Sequence, residues 1–299
     1  MKILDEKDDI QRRRNFRDEE EEPDFLLEQR PHLLDQLKPD YSWIKYFQLS
    51  HPGWEFLRFE DIPWTPLRKE IAECKITYIS FAGVYGLGQK PFNTSPGPVS
   101  EYLRRYRFKT PGDPSYREIH KDVDPTELMV SHADYDHADA GEDINCVFPL
   151  ERLLELNEEN LFGALGDTHY SLLGNVLDWK LIEAGPAKAM GDRLEKEGVD
   201  VVFLSPGCIL SHQNLAVVQR YLESRGLVTV SITLCSDLTL QIGTPRSLSL
   251  HFPLGNVFGA PLDKMTQARI LRDIFSSLEE FEEPGEIIEL PYQWTVNPT

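Results

Sequence analysis

The chain has 299 residues and a formal net charge of −19 at pH 7, and its length suffices for a large α/β domain with a hydrophobic core. A surface this acidic repels polyanions, so we expect neither nucleic acid nor an anionic membrane among its partners. No stretch approaches the roughly 18 consecutive apolar residues of a membrane-spanning helix, and the N-terminus lacks the apolar core of a signal peptide. We therefore expect a cytoplasmic protein.

Composition divides the chain into three regions. Residues 1–40 are densely charged, which predicts an acidic, partly disordered extension. Residues 41–70 contain three tryptophans between prolines and are interpreted as an arm packed on the main domain, by simple packing or at a subunit contact. Residues 71–299 carry the patterns of an α/β domain of catalytic type.

The first part of the main domain alternates short strands and helices. Ile76–Ala82 is a β-rich run that leads into a glycine loop, and Leu128–Ser131 is a second short strand. Phe148–Leu156 predicts a helix with a proline in its first turn. Trp179–Glu197 has a longer helical pattern, interrupted at Gly185–Pro186.

The second part contains a strand–helix–strand unit. Val201–Ser205 begins with the continuous apolar run of a strand buried on both faces. His212–Arg225 has helical periodicity and a glycine stop, and Val228–Thr233 is the next strand, so the two strands are expected to be parallel. A last helix is predicted over Lys264–Leu278. These elements predict a Rossmann-like or flavodoxin-like, mostly parallel sheet with helices on both faces.

Cys208 is the residue that says most about the chemistry of this chain. Ligands of an open parallel sheet bind beyond the carboxyl ends of its strands, and Cys208 lies in the loop after Val201–Ser205. The helix start favours a thiolate there, and His212 adds a candidate positive charge or proton. We therefore expect an exposed, reactive thiol, although a buried cysteine under a turn is the alternative. Cys235, which follows the next strand, is a candidate second thiol.

The segment Ser131–Asn145 holds two histidines and several carboxylates in one predicted loop. We interpret His132, Asp134, Asp143 and Asn145 as a substrate-binding network beside the thiol; the alternatives are a solvated acidic loop and a divalent-metal site. An aspartate, Asp134, stands where metallo-hydrolase ligand runs have their second histidine, so no metal is expected.

Three further residues are candidates for substrate binding. His169 and Tyr170 are predicted to reach the site from a loop, and Arg246 to bind a substrate carboxylate bidentately. For each of them a purely structural role is the alternative. The glycine loop Gly83–Gly88 lacks the lysine of a P-loop, so it does not predict a nucleotide site.

Several short motifs together resemble the B component of the glycine/sarcosine/betaine reductase and D-proline reductase family. The resemblance extends over about residues 70 to 285 and rests on these stretches: Gly83–Phe92, Ser131–Asn145, Phe148–Leu153, Gly166–Gly174, Ser205–Cys208, Ser211–Gln213, Pro245–Arg246 and Pro253–Gly255.

The resemblance implies a nucleophilic role for Cys208. In that family a selenocysteine or cysteine after a buried strand attacks the α-carbon of an amino-acid substrate, the amine leaves, and a neighbouring thiol releases the product. A small amine- or thio-substituted acid is thus the implied substrate. A partner reductase subunit carries the pyruvoyl group where one is present, and a homo-oligomer is the other assembly considered.

Ser211 departs from the family pattern, in which a second cysteine often stands at this position. A C-x-x-S pair cannot form the disulfide that closes a redox cycle. Reductive release of the product from Cys208 would then need an external thiol, such as a thioredoxin-type reductant, or Cys235. No cofactor is expected on this chain itself.

Two other functions remain open. The missing second cysteine favours a non-catalytic subunit or scaffold of a reductase complex. A cofactor-independent, racemase-like enzyme would also place a cysteine after a strand, but it needs two opposed cysteines, and the loop after Ile76–Ala82 has none.

Overall fold

The computed structural model describes residues 36–294. Its strands are β1 Lys75–Phe81, β2 Val84–Gly86, β3 Tyr116–His120, β4 Leu128–Val130, β5 Ala164–Leu165, β6 Thr168–Leu172, β7 Val201–Pro206, β8 Val228–Thr233, β9 Arg246–His251 and β10 Glu286–Gln293. Its α-helices are α1 Trp43–Ser50, α2 Glu101–Arg104, α3 Ala138–Glu142, α4 Leu150–Glu158, α5 Trp179–Ile182, α6 Lys188–Lys196, α7 Ile209–Ser224, α8 Ser236–Ile242 and α9 Lys264–Ser276. The acidic extension predicted for residues 1–40 lies, up to residue 35, outside the described residues.

The main sheet has the strand order β10-β9-β8-β7-β1-β6-β3, with the short strand β5 also beside β1. Strand β3 runs antiparallel to β6, whereas the other neighbours are parallel. Strands β2 and β4 form a separate antiparallel ladder. The predicted α/β class with a mostly parallel sheet is therefore confirmed.

The strand order reverses direction at β1. The chain adds β6 on one side of β1 and then returns to add β7, β8, β9 and β10 on the other. Such a reversal is a topological switch point, where the loops leaving two adjacent strands diverge to opposite faces and open a crevice. In this chain the switch point lies at the carboxyl ends of β1 and β7.

Helices cover both faces of the sheet. Alternate residues of a strand point to opposite faces, so Ile76 and Tyr78 of β1 pack with α4 and α9, whereas Ile79 and Phe81 pack with α6 and α7. Strand β7 alternates in the same way. Its burial on both sides explains the continuous apolar run seen in the sequence.

Some elements differ from the sequence-based expectations. Helix α7 begins at Ile209, three residues earlier than predicted, so Cys208 is its N-cap. The loop expected around His169 and Tyr170 is wrong, since both lie in strand β6. The interruption at Gly185–Pro186 is confirmed as a π-helical turn, which accommodates the missing proline N–H.

The aromatic arm packs over the switch-point end of the sheet. Trp43, Trp54 and Phe56 form a hydrophobic cluster with Cys208, Leu210, Cys235 and other residues. Hydrogen bonds from the Leu57 amide to Gln213 Oε1 (2.9 Å) and from the Ile44 amide to Asp237 Oδ2 (3.2 Å) fix the arm to α7 and α8. The arm thus covers the turn that carries Cys208.

The opposite end of the sheet is tied to the arm by a buried ion pair. Arg246 Nη1 lies 2.6 Å from Glu223 Oε1, and both side chains are almost fully buried. Glu223 also accepts hydrogen bonds from the amides of Thr65 and Thr229, while the Arg246 guanidinium lies over the Trp64 ring. Among residues 36–294 we find no helix with the length and apolar character needed to cross a membrane.

We predict that Glu223→Gln lowers the free energy of unfolding by about 3–5 kcal/mol, because it leaves the buried Arg246 charge unpaired. Both oxygens of Glu223 accept hydrogen bonds from backbone amides, so the NH2 group of glutamine would face a backbone N–H, donor against donor. Urea unfolding measures the change, and the control is Glu195→Gln, which breaks the exposed ion pair with Arg225 and should cost less than about 1 kcal/mol. Equal effects of the two substitutions would contradict this assignment.

Candidate functional site

The Cys208 turn is pressed against the end of β1. A Cβ at Gly207 would lie 2.6 Å from the Phe81 carbonyl oxygen and 2.7 Å from Ala82 Cα, so the position requires glycine. Strand β7 ends at Pro206 and α7 begins at Ile209. The predicted position of Cys208 at a strand-to-helix turn is confirmed, and the turn lies beside the switch point.

Ser211 closes the turn with its side chain. Its Oγ accepts hydrogen bonds from the amides of Gly207 (2.8 Å) and Cys208 (2.9 Å) and donates to the Cys208 carbonyl (2.6 Å). Two amides at the helix start, where no intrahelical acceptor exists, are thereby satisfied. Ser211 therefore shapes the backbone that holds the thiol.

His212 is neutral and hydrogen-bonded through both ring nitrogens in this turn. Its Nε2 accepts a hydrogen bond from the Leu234 amide (3.1 Å), so its single proton lies on Nδ1, which donates to the Cys208 carbonyl (2.8 Å). Burial lowers the pKa of His212 to about 4. Both nitrogens are engaged, and the geometry does not support the positive charge or proton source expected from the sequence.

The Cys208 thiol is buried, so the expectation of an exposed thiol is wrong for this chain. Its residue exposure is 2%, because the aromatic arm lies over it. Burial raises the pKa of the thiol to about 12, and nearby Asp134 adds to the effect, against the opposing hydrogen bonds from Ser211 and the Leu210 backbone. Apolar burial outweighs the helix start, which alone favours a thiolate.

His132 and Asp134 join Cys208 at the switch point. One imidazole nitrogen of His132, one carboxylate oxygen of Asp134 and Cys208 Sγ all lie within 4.8 Å of one another. The loop after β4 is brought there by a hydrogen bond from the Ser131 amide to the Gly83 carbonyl (2.9 Å). Gly83 has a φ of +73°, and a Cβ would meet the Ser131 carbonyl oxygen at 2.6 Å, so the close approach depends on glycine.

His132 is buried and only half satisfied. Its Nδ1 accepts a hydrogen bond from the Asp134 amide (3.1 Å), and Asp134 Oδ2 lies 3.8 Å from that nitrogen. Its Nε2 makes no hydrogen bond of normal geometry with the part of the chain that the structure describes. Burial lowers the pKa of His132 to about 3, although the Leu173 backbone acts in the opposite direction. The imidazole is therefore neutral.

Two uncharged polar groups, Asn175 and Tyr135, border this cluster. The Asn175 amide donates to Asp134 Oδ2, and the Tyr135 hydroxyl donates to the Ala82 carbonyl at 2.7 Å. Burial raises the pKa of Asp134, and the bond from Asn175 opposes this shift. Sequence reasoning missed Tyr135 and Asn175, although Tyr135 lies inside the segment singled out for its histidines.

The other predicted site residues have different surroundings. Cys235 is the N-cap residue of α8 and shares the apolar cluster of Cys208; burial raises its pKa, as do the nearby Asp237 and Cys208. Asp143 binds Asn145, Gln267 and the Leu262 amide, which fixes the loop to the start of α9.

The remaining candidates lie within the sheet. His169 Nδ1 accepts from the Tyr78 amide (3.0 Å), Tyr170 belongs to the core beneath α6 and α7, and Arg246 is paired with Glu223. Within residues 36–294, none of Asp143, Asn145, His169, Tyr170 and Arg246 forms a hydrogen bond or ion pair with the three clustered side chains. The structure thus brings together Cys208, His132 and Asp134 and leaves the substrate-binding roles of the others as predictions.

We predict that Gly174→Ala disturbs the site, since its Cβ would lie 2.5 Å from Ser211 Cβ at a φ of +75°. The expected loss of unfolding free energy is about 2–4 kcal/mol, from overpacking and left-handed strain together. The matched control is Gly198→Ala, which has a φ of +66° but open space around it and should cost about 1 kcal/mol. Chemical unfolding of both variants measures the difference, and similar losses would refute the role of Gly174 in packing against Ser211.

Comparison with known proteins identifies relatives of this chain. The family model described as glycine/sarcosine/betaine reductase selenoprotein B matches residues 114–206. D-proline reductase subunit gamma of Acetoanaerobium sticklandii is 31% identical over 231 residues, which are 77% of this chain and 89% of that protein. The family match contains His132 and Asp134 and ends two residues before Cys208.

More distant relatives are longer than this chain. Glycine reductase complex component B subunit gamma of Symbiobacterium thermophilum is 25% identical over 71% of this chain and 48% of its own length. Sarcosine reductase complex component B subunit beta of Peptoclostridium acidaminophilum is 23% identical over 66% of this chain and 43% of its own length. The chain therefore spans less than half of these two relatives. No solved structure matches it.

Proposed function

The chain belongs to the B-component family of glycine/sarcosine/betaine and D-proline reductases, and we propose that it is a thiol-dependent reductase subunit in which Cys208 is the nucleophile. The observation that carries the proposal is the position of Cys208 Sγ, at the switch point and within 4.8 Å of His132 and Asp134. A cysteine beside a histidine that a carboxylate accompanies is a common arrangement for an activated thiol.

The proposed substrate is a small acid with an amine or thio substituent on its α-carbon. The Cys208 thiolate forms an S–C bond to that carbon, and the C–N bond breaks with its electron pair on the departing amine, which takes up a proton. A second thiol then attacks Cys208 sulfur. The carbon keeps the S–C electron pair and is protonated, and the two sulfurs form a disulfide.

His132 is the side chain proposed to take up the Cys208 proton at Nδ1, which the Asp134 amide must first release when the site opens. Its imidazole lies beside the thiol, whereas both nitrogens of His212 are already hydrogen-bonded. Once Nδ1 carries that proton, the Asp134 carboxylate, 3.8 Å away, is proposed to stabilise the imidazolium. Ser211 and His212 serve as positioning residues, because they hold the Cys208 carbonyl and amide in place.

The second thiol is proposed to be external or to be Cys235. Ser211 fills the position where a resolving cysteine often stands in this family, and its hydroxyl cannot attack the thioether sulfur to form a disulfide. Cys235 lies in the same apolar cluster as Cys208, and a dithiol of the thioredoxin type would reduce the resulting disulfide.

The burial of the Cys208 thiol supports a role for a partner subunit in exposing it. With Cys208 only 2% exposed, substrate reaches it only when the covering arm moves, and the docking of a partner is the proposed cause. The relatives are named as subunits of reductase complexes. A pyruvoyl group, where the reaction uses one, would belong to that partner, and this chain would bind no cofactor of its own.

We predict that Cys208→Ser abolishes substrate reduction in the complex that copurifies with this chain. Amine release or product formation from D-proline, glycine, sarcosine and betaine, with dithiothreitol as reductant, should fall by at least about a thousandfold. The matched control is Cys74→Ala, a buried cysteine at the far end of β1, which should stay within about twofold. Full activity of Cys208→Ser, or no turnover of any of these substrates by the wild-type complex, would contradict the proposal.

A second prediction concerns the chain alone. Because Cys208 is buried and its pKa is about 12, iodoacetamide should label it no faster than Cys74 at neutral pH, and far faster once the partner is bound. Peptide mass spectrometry measures both rates. A non-catalytic scaffold would instead show Cys208 unreactive with and without the partner.

A further inference from the structure

A short basic segment interrupts the acidic surface of this chain. The net charge is −19, yet residues 104–109 read Arg-Arg-Tyr-Arg-Phe-Lys and contain no acid. We call these six residues the basic segment. It begins at the last residue of helix α2, and its cationic residues are all exposed: Arg104, Arg105, Arg107 and Lys109.

The rest of the fold does not neutralise these cations. Among residues 36–294, none of the four side chains forms an ion pair, whereas Arg193 and Arg225 each bind two carboxylates. Glu101 opens α2 and Glu55 lies close to Tyr106, so these acids offset only part of the positive charge. The basic segment is therefore left with positive charge that an acidic partner would complement.

The aromatic side chains of the basic segment pack on the arm that covers Cys208. The ring centroids of Tyr106 and Phe108 lie 5.4 Å and 4.8 Å from that of Trp54, and Phe108 also stacks on His51 at 4.3 Å. Phe108, Trp54 and Cys208 belong to one hydrophobic cluster. The basic segment thus joins an exposed charged surface to the cover over the thiol.

An exposed tyrosine extends the charged surface. Tyr102 is 59% exposed, and its ring meets that of Tyr106 edge-on at 5.3 Å. Tyrosine and arginine are the residues that protein interfaces favour over other surfaces. The combination is typical of a surface that binds a polypeptide.

The charge of the whole chain decides which kind of anion fits. A nucleic acid extends its charge far beyond six residues and would be repelled by the acidic surface around them. A short acidic peptide segment interacts within about one Debye length, roughly 8–10 Å, and avoids most of that repulsion. The basic segment therefore favours an acidic peptide over a nucleic acid.

We propose that the basic segment and Tyr102 form the docking surface for an acidic peptide segment of the partner subunit. Docking there would act on Tyr106 and Phe108, and through their contacts with Trp54 on the arm above Cys208. The proposal rests on the proposed function, which requires a partner that exposes the thiol.

The first test is a zero-length cross-link in the complex that copurifies with the full-length chain. A carbodiimide activates a carboxylate, which then forms an amide bond with the amine of a neighbouring lysine. We expect peptide mass spectrometry to find Lys109 joined to an aspartate or glutamate of the partner. Mixed isotope-labelled and unlabelled copies of this chain identify cross-links to a second copy.

The second test measures binding of a fluorescein-labelled decaglutamate peptide to the full-length chain by fluorescence anisotropy. We expect saturable binding that weakens as salt is added. The double variant Arg105→Glu/Arg107→Glu should bind at least about tenfold more weakly, because like charges then face each other. The matched control is Lys264→Glu/Arg269→Glu, which makes the same charge change at two exposed residues of α9 and should stay within about twofold.

Several results would overturn the docking surface. These are cross-links from Lys109 only to residues 1–35 of this chain or to a second copy, equal loss of peptide binding in both double variants, and tighter binding of a single-stranded oligonucleotide of equal charge. A complex that reduces substrate without the Lys109 cross-link to its partner would refute the docking surface alone. A complex that forms the cross-link but reduces none of D-proline, glycine, sarcosine and betaine would refute the proposed function and leave the docking surface standing.

Discussion

The contact between Gly207 and the end of β1 is the constraint on which the rest of the site depends. The backbone at Gly207 approaches Phe81 and Ala82 so closely that no side chain fits, and Ser211 fixes the turn by binding two of its amides. Cys208 is thereby held between the ends of β1 and β7, where the strand order reverses. Gly83, at the end of β1, brings Ser131 and with it His132 to the same point. Two close glycine contacts thus join segments that lie about 75 residues apart in the chain.

The same arrangement predicts that the thiol is unreactive in the isolated chain. A helix start stabilises a negative charge by about 0.3–1 kcal/mol at an exposed position. Raising the pKa of Cys208 from 9.0 to about 12 corresponds to a preference of about 4 kcal/mol for the neutral thiol. Desolvation under Trp43, Trp54 and Phe56 therefore outweighs the helix dipole. A nucleophile under such a cover would react only when another event exposes or ionises it, which suits a subunit that works within a complex.

The sequence predicted local features well and distant contacts poorly. The strands Val201–Ser205 and Val228–Thr233 are predictable because a strand buried on both faces needs an apolar run. The turn that follows Val201–Ser205 is predictable because Pro206 and Gly207 precede Cys208. The burial of Cys208 was not predictable, since it depends on residues more than 100 positions away in the arm. The position of Arg246 after a βα unit favours a carboxylate clamp. In the structure the residue begins strand β9 and pairs with Glu223, a contact that no local pattern reveals. The sequence does not predict a strand at His169, because a short polar strand such as Thr168–Leu172 lacks a strong alternation of apolar and polar residues.

The most direct test of the central claim is the chemical state of Cys208 after a single turnover. The complex that copurifies with this chain would be mixed, in the absence of dithiol, with a substrate that it is known to reduce. The reaction would be quenched with acid and digested for peptide mass spectrometry. If Cys208 is the nucleophile, it carries either the substrate-derived thioether or a disulfide after the turnover, and dithiol restores the free thiol. Product formed in stoichiometric amount while Cys208 remains a free thiol throughout would contradict it.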